Sequence, residues 1–584
     1  MINVVIDGKP VSVNAGSMIL DAARSIGIDV PTLCYMRLHN TEYKCQPASC
    51  RVCVVEVEGR RNLCPACATP VMEGMVIKTN SMRVLQSRKM IVELMISDHP
   101  NDCLTCTKSG KCELQDLARK TGVVDIPLSG KEQSEYPVME NKAIVRDMSK
   151  CIMCRRCEEM CSNIQSVHAL SGVSRGFEAV VGTAFDESLD NTMCVGCGQC
   201  VAVCPVGALM EKDDTDKVIK ALANPDVTVV FQTAPATRVA IGEEFGMKAG
   251  TNATGKMVTA LKNLGADYVF DTDFTADLTI MEEGTELIGR LTKFLNGEKA
   301  ALPLLTSCCP GWVNFYESRY PDMLELPSTA KSPQGMFGAV AKNYFAEKLD
   351  IDRKKMFVVS VMPCTAKKIE ADRAELKEDG IPDVDVVLTT REIARLIKMA
   401  NIDFVNLTDS EYDNPLGEST GAAVIFGVTG GVLEAALRTV YEVLEKKTLP
   451  RVEFEAVRGF EGLKVATVTI AGQDINVAVA HGLANASKVM DEIKNGNPRN
   501  LHAVEVMACP GGCIGGGGQP YHHGDGEILK ARTNATYQID EEKTIRKSHE
   551  NPAVKALYEE YYKEPGSEIA HHQLHTHYTY REKY

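Results

Sequence analysis

Thr306-Ser-Cys-Cys-Pro-Gly-Trp312 is the stretch on which the reading of this 584-residue chain turns. Cys308 and Cys309 are adjacent, follow the apolar run Ala301-Leu-Pro-Leu-Leu305, and precede Pro310 and the only tryptophan. Neighbouring side chains in extended or turning backbone point in different directions. One thiolate can therefore bind a metal while the other faces a pocket. Two distant segments supply more sulfur: Met362-Pro-Cys364-Thr-Ala-Lys367-Lys-Ile-Glu370 and Met507-Ala-Cys509-Pro-Gly-Gly-Cys513-Ile-Gly-Gly-Gly-Gly-Gln-Pro520. Cys309, Cys364, Cys509 and Cys513 make four thiolates, the number a [4Fe–4S] cluster takes, with Cys308 left beside it. The plain alternative is a structural zinc site. Zinc-binding cysteines come as local C-x2-C pairs, however, and need neither Lys367 nor a spare thiol.

The surrounding sequence has α/β character from about residue 215. Apolar runs at Val227–Phe231, Tyr268–Phe270, Phe357–Val361 and Val384–Leu388 read as buried strands, separated by helical patterns at Arg391–Met399 and Gly431–Leu444. The cysteine loops fall at or just after such strands, where open α/β sheets place their ligands. Gly511, Gly512 and Gly515 to Gly518 would let backbone approach a bulky inorganic group. Gly427-Val-Thr-Gly-Gly431 lacks both the Lys-Ser/Thr of a phosphate loop and the spacing of a dinucleotide fingerprint, so no NAD or flavin site is expected in this chain.

Upstream lies an internal repeat, Cys151-Ile-Met-Cys154-Arg-Arg-Cys157-Glu-Glu-Met-Cys161 and Cys194-Val-Gly-Cys197-Gly-Gln-Cys200-Val-Ala-Val-Cys204. Two C-x2-C-x2-C-x3-C runs are the two-cluster bacterial ferredoxin spacing, in which the fourth cysteine of each run serves the other cluster. Cys151, Cys154, Cys157 and Cys204 are assigned to one cubane, and Cys194, Cys197, Cys200 and Cys161 to the second. Further upstream, His99, Cys103, Cys106 and Cys112 fall within fourteen residues, a set that suits zinc or a cluster. A helical pattern runs from 81 to 96 through Val84, Leu85, Ile91, Leu94 and Met95, and residues 123–142 look like a connector. At the start, Ile2–Ile6 and Pro10–Val13 flank the hairpin signal Asp7-Gly8. Ser17 is placed to cap a helix through Ile19, Leu20, Ala23 and Ile26.

Composition bounds the rest. The 44% hydrophobic and 24% charged content is ordinary for a globular protein, and the length suits several domains. A formal net charge of −14 argues against nucleic acid and an anionic membrane surface. No apolar run approaches the ~18 residues of a membrane span, and the N-terminus alternates like a strand, so a cytoplasmic protein is expected. The 22 cysteines are grouped in ligand spacings, unlike a secreted disulfide scaffold.

The three cysteine loops together resemble the signature loops of the [FeFe]-hydrogenases. The resemblance implies that Cys309, Cys364, Cys509 and Cys513 hold the cubane of the H-cluster, with Cys513 bridging to a two-iron subsite carrying CO, cyanide and a dithiolate. It implies a pocket lined by Ala234, Pro235, Gln334, Met362, Phe426 and Met507. Lys367 would sit beside a cyanide, oriented by Glu370. Where many relatives carry a serine, this chain has Ala236, so one hydrogen bond to a cyanide is missing or replaced. A proton relay is implied from Cys308 through Glu283, Ser328 and Glu286 to Arg290. From spacing alone, Glu283, Glu286 and Arg290 read only as one solvated helix face.

Residues 1–79 resemble the β-grasp [2Fe–2S] ferredoxin domain shared by hydrogenases and the large iron–sulfur subunit of respiratory NADH dehydrogenase, with Cys34, Cys50, Cys53 and Cys67 matching its ligands. The gap before Cys50 is longer than usual and contains Cys45, and Cys64 lies just before Cys67, so either is an alternative ligand to its neighbour. Cys50 and Cys53 are kept because a C-x2-C followed by a β-branched strand is the better match, and Cys45 and Cys64 are read as ordinary thiols. The His99 run matches the one-histidine, three-cysteine [4Fe–4S] module of the same families. The expected architecture is multidomain, α+β and α/β. It comprises residues 1–79, the one-His/three-Cys module 80–122, a two-cluster ferredoxin domain 140–214, an H-cluster domain 215–528 and a helical small-subunit-like tail 529–584. Four histidines in the tail (His571, His572, His575, His577) invite a metal reading, but a docked or frayed tail fits better.

The expected activity is 2H+ + 2e− ⇌ H2, with one [2Fe–2S] and three accessory [4Fe–4S] clusters relaying electrons. The modular N-terminus and tail resemble the catalytic subunit of NAD(H)- and ferredoxin-linked complexes of the electron-bifurcating type, whose separate flavin and iron–sulfur subunits handle NADH. A stand-alone ferredoxin-dependent hydrogenase carries the same cluster set and is the runner-up. A non-catalytic electron conduit explains nothing beyond residue 204. Hydrogenase-like assembly proteins would not need Cys308, Lys367 and Glu283 together.

Overall fold

The computed structural model describes residues 1–37, 45, 47–128 and 136–583. Parts of the Cys34–Cys50 gap and of the 123–142 connector lie outside the described residues. The chain forms two compact units. One comprises Met1–Asn163, His168–Thr192 and Val203–Met210; the other comprises Ile164–Val167, Met193–Ala202 and Glu211–Tyr584.

In the first unit, Ile2–Ile6 pairs antiparallel with Lys9–Val13 and parallel with Val76–Lys78, which in turn pairs with Val54–Val57. Cys64–Pro65 closes the five-stranded sheet. Asp7 and Gly8 both take positive φ, 48° and 80°, as a two-residue hairpin turn requires. The helix Ile19–Ser25 packs Ile19, Leu20, Ala22 and Ala23 inward, but its N-cap is Met18 rather than Ser17. Ser17 is instead engaged through its backbone, with its carbonyl accepting from the Val71 N–H. The helix Met82–Ser97 is capped by Ser81. Its inward face agrees only in part with the apolar pattern, of which Val84 alone is fully buried. Val84, Arg88 and Val92 are buried, Arg88 donating to the Val54 carbonyl at 2.8 Å, while Leu85 and Leu94 stay exposed.

In the second unit, a fully parallel four-stranded sheet runs in the order Tyr268–Asp271, Thr228–Thr233, Met356–Met362, Val386–Thr389. Its strands are buried on both faces, which explains their largely apolar sequence, interrupted inside the strands by buried Gln232 and Ser360. A second sheet, not read from the sequence, orders Leu304–Leu305, Leu501–Met507, Gln473–His481 and Leu463–Ile470. Its first three strands are parallel. Five chain segments leave parallel strands at their carboxyl ends and turn toward one another: Ala234–Ala236, Thr272, Thr306–Cys309, Pro363–Cys364 and Ala508–Cys513. That is where a doubly built α/β unit offers a crevice.

The glycines after Cys513 serve protein packing more than open space. A Cβ on Gly516 would lie 2.2 Å from the Pro363 carbonyl oxygen, and one on Gly517 would lie 2.5 Å from that of Cys197. A Gly516→Ala variant is therefore expected to lose about 1–3 kcal/mol of stability through overpacking. Thermal unfolding of the cluster-free chain measures this; an unchanged midpoint would contradict it.

The tail is helical over Gly526–Glu542 and Glu568–Leu574. It is docked rather than frayed. Arg532 is fully buried, with its guanidinium on Glu243 and on the Ile514 and Pro520 carbonyls. Among the described residues, no helix is long and apolar enough to cross a membrane.

Candidate active site and cluster-binding sites

The carboxyl-end loops enclose a cavity of about 80 Å³. Cys308, Cys309, Cys364, Cys509 and Cys513 all line it, with Ala234, Pro235, Gln334, Met362, Phe426, Met507 and Lys367. Thr272, Ala236, Gly512 and Gly516 complete much of the remaining wall. Residues some two hundred positions apart thus bring five sulfurs to one buried place.

The electrostatics describe a site short of positive charge. Burial first, then the neighbouring Cys309, pushes the Cys364 thiol up to about 12. Burial and the crowding of Cys364, Cys309, Cys197 and Cys513 hold the Cys509 thiol well above its usual range. Buried sulfurs crowded in this way are suited to a cationic group among them. The donor set therefore fits an iron–sulfur cluster. Gly311 packs between Ala508 and Cys197, a Cβ there lying 3.1 and 3.7 Å from theirs. The loop carrying Cys194, Cys197 and Cys200 is thus adjacent to the Cys509 side of the cavity.

Lys367 is held rigidly. Its Nζ donates to Glu370 Oε2 at 2.7 Å, Ser332 Oγ at 2.8 Å and the Cys308 carbonyl at 3.1 Å. Burial lowers its pKa, but the Glu370 carboxylate together with Cys308 and Cys364 offsets that and leaves it above the usual value. Glu370 also accepts from Gln334 Nε2 at 2.9 Å, and Gln334 Oε1 accepts from Ser360 at 2.9 Å. Ser332 and Ser360 were not found from sequence. Ser332 precedes Pro333 as an N-cap, accepting from the Gly335 N–H, and that Ser-Pro signal was the available clue.

From the cavity a polar chain runs along the helix Thr272–Leu295, roughly 36 Å long. Glu283 is buried and bears on the Cys308 thiol, raising it after burial itself. Ser328, also in contact with Glu283, donates to Glu286 Oε2 at 2.8 Å, and Arg290 donates to Glu286 Oε1 at 2.6 Å. Burial, then the Glu286 charge, pushes the Glu283 carboxyl up to about 8. The folded state therefore holds this proton more tightly than the unfolded chain. The associated stability is fully present below the ordinary carboxylate range and is lost as pH rises through about 8. A Glu283→Gln variant should thus gain on the parent by a few kcal/mol between about pH 5 and about pH 9. Denaturant titrations at both values check this; parallel curves would contradict it.

The N-terminal ligand sets can be followed within the first unit. Cys34 and Cys50 exchange backbone N–H to sulfur contacts at 3.5 and 3.4 Å, and Cys53 and Cys67 sulfurs lie 3.3 Å apart. Cys64 turns to Arg60 at 3.4 Å, and Cys45 is buried with its thiol raised to about 11, first by burial. His99 donates from Nδ1 to the Pro100 carbonyl at 2.8 Å, while its buried Nε2 has no hydrogen-bond partner among the described residues. That leaves the Nε2 lone pair for a metal. Cys106 lies against Gly207, whose Cβ would come within 2.8 Å of its sulfur. Cys151 and Cys204 both bear on the Cys154 thiol, which is raised first by burial.

Comparison with known proteins decides the family. Residues 227–517 match the domain described as iron only hydrogenase large subunit, C-terminal domain. Over its full length the chain is 58% identical to the whole of the NADP-reducing hydrogenase subunit HndD of Solidesulfovibrio fructosivorans. The chain belongs to the iron-only, or [FeFe]-, hydrogenase family. It is also 41% identical to iron hydrogenase 1 of Clostridium pasteurianum, covering 98% of this chain and 99% of that one. A solved apo [FeFe]-hydrogenase HydA1 from Chlamydomonas reinhardtii is 41% identical over 64% of this chain and 100% of its own, with a TM-score of 0.57. Residues 1–82 match a 2Fe-2S iron-sulfur cluster binding domain and 150–208 a 4Fe-4S dicluster domain. Residues 88–127 match the NADH-ubiquinone oxidoreductase-G iron-sulfur binding region, and 526–581 the iron hydrogenase small subunit. The protein is an [FeFe]-hydrogenase with accessory iron–sulfur domains in one chain.

Proposed function

We propose that this hydrogenase holds its H-cluster through Cys309, Cys364, Cys509 and Cys513 and moves protons through Cys308, Glu283, Ser328, Glu286 and Arg290. When bound, the H-cluster supplies the irons at which 2H+ + 2e− ⇌ H2 takes place. The convergence of those four thiols on one cavity, with Cys308 beside them, carries the reading. The protein's own groups do the rest. Lys367, fixed by Glu370 and Ser332, presents a buried positive charge to an anionic ligand. Apolar Ala234, Pro235, Met362, Phe426 and Met507 keep water from the reacting centre. Ala236 offers no hydroxyl there, so the polar contribution of this wall rests on the Lys367 charge.

Protons pass between Cys308 and Glu283, then by the Ser328 hydroxyl to Glu286, with Arg290 fixing Glu286 near the surface. A carboxyl near neutrality suits such a step. Cys34, Cys50, Cys53 and Cys67 would hold one [2Fe–2S] cluster, which with three [4Fe–4S] clusters would supply electron transfer. One of these sits on His99, Cys103, Cys106 and Cys112, and two on the paired runs from Cys151 to Cys204. The place of Cys197 beside Cys509 supports a final transfer from the last of them.

The chain acts as catalytic subunit of an NAD(P)(H)- and ferredoxin-linked complex with flavin-bearing partners. Its identity over full length to a subunit of an NADP-reducing hydrogenase supports this. Iron hydrogenase 1, similar over nearly the same length, keeps the ferredoxin-dependent single-chain enzyme as the second reading. Purification of the native assembly tests the choice. Co-eluting flavin subunits and hydrogen-dependent NAD(P)+ reduction are expected; a lone chain that exchanges electrons with ferredoxin only would overturn the complex.

A further inference from the structure

The last residues of the chain lie along the proton relay. Thr576 N–H donates to the Thr329 carbonyl at 2.8 Å, and Lys331 N–H donates to that of Leu574 at 2.8 Å, with a bridge pairing Ala330 and His575. This short strand pairing grips the segment that carries Ser328. Side chains tighten it. The Tyr578 hydroxyl donates to the Ser328 carbonyl at 2.7 Å, and His575 Nδ1 lies 2.8 Å from Thr329 Oγ1. Thr329 N–H in turn donates at 3.0 Å to Glu286 Oε2, the same oxygen that accepts from Ser328. On its other side, His575 Nε2 lies 3.0 Å from Glu282 Oε2. Glu282 is fully buried and also takes the Tyr558 hydroxyl and the Gly566 N–H, all from the tail.

A serine hydroxyl can pass a proton only when its oxygen stands between two partners within hydrogen-bond reach. Rotation of the Ser328 peptide would swing that hydroxyl off Glu286. Backbone groups on the relay side, the Leu326 and Pro327 carbonyls, are held by Arg290, and the Ser328 N–H by the Leu305 carbonyl. The Ser328 carbonyl is held by Tyr578. We propose that the carboxy-terminal segment His575–Tyr578 is a working part of proton transfer: Tyr578 and His575 are positioning residues that fix Ser328 and Thr329 against Glu286. The inference rests on the relay reading above. It gives the small-subunit-like tail a task in the reaction as well as in folding.

The test uses the matured full chain and four variants: Tyr578→Phe, His575→Ala, His575→Gln and Ser328→Ala. For each, kcat and KM for hydrogen oxidation with an artificial acceptor, the solvent deuterium isotope effect and the unfolding temperature are measured. Tyr578→Phe and His575→Ala should lower kcat about fivefold, the scale of one misplaced hydrogen bond. KM should hold and the isotope effect should rise. His575→Gln, which can still bridge Thr329 and Glu282, should recover most of the rate. If Ser328→Ala is slow but both tail variants match the parent, the positioning role is wrong and the relay stands. If Ser328→Ala itself turns over like the parent, the relay fails and the inference with it. Tail variants that unfold earlier and lose kcat and KM together, with an unaltered isotope effect, would reduce the tail to a scaffold and overturn the proposal.

Discussion

Replacing Cys308 with alanine should lower hydrogen turnover by a factor on the order of 10²–10⁴ while leaving iron content unchanged. Cys308 lines the cavity but is the one of its five cysteines outside the proposed ligand set. Its neighbours on the far side are the Glu283 carboxyl and, through its carbonyl, the Lys367 ammonium. Alanine removes the thiol that stands between the cavity and Glu283 among the described residues. Lys367 cannot substitute, since Glu370, Ser332 and the Cys308 carbonyl already hold its three protons. Iron analysis with hydrogen-evolution rates checks the result. A variant that turns over at the parent rate would remove Cys308 from the chemistry; one that loses iron would make it a ligand.

The Cys513→Ala variant should behave in the opposite way, with turnover lost together with the metal. Cys513 begins a short helical turn after Gly512, whose φ of 97° few other residues adopt. That turn aims the thiol into the cavity from a loop held by Gly515 and Gly516 against Pro510 and Pro363. A [4Fe–4S] cluster deprived of one thiolate of four loses both a bond and charge compensation. The chain itself should still fold, because Ile514 and the neighbouring apolar side chains keep their packing. Iron content and infrared absorption of the matured variant measure the loss. Full iron loading with normal turnover would remove Cys513 from the ligand set.

Much of this was legible in the sequence because cluster-binding cysteines carry their geometry locally. The runs from Cys151 to Cys161 and Cys194 to Cys204 are complete ligand spacings within eleven residues each, and the parallel strands around Val229 and Val359 are predominantly apolar. The cavity was legible only as a count of sulfurs plus a family likeness, since nothing local says that Cys309 and Cys509 meet. The second sheet was not, because Leu304–Leu305 is a two-residue strand and Leu463–Ile470 alternates weakly beside solvent. The helix Met82–Ser97 shows why an apolar pattern can mislead about facing. There a buried Arg88, bonded to the Val54 carbonyl, takes a core position while Leu94 faces out. The tail hid its docking for a similar reason. Glu282 looks like a solvated acid, yet three tail groups and burial claim it.

A crystal of the matured protein, mapped at the iron absorption edge, tests the central claim most directly. The account predicts iron bonded to the sulfurs of Cys309, Cys364, Cys509 and Cys513, with Cys308 Sγ unbonded and facing Glu283. Iron bonded to Cys308, or no iron shared by those four sulfurs, would contradict it.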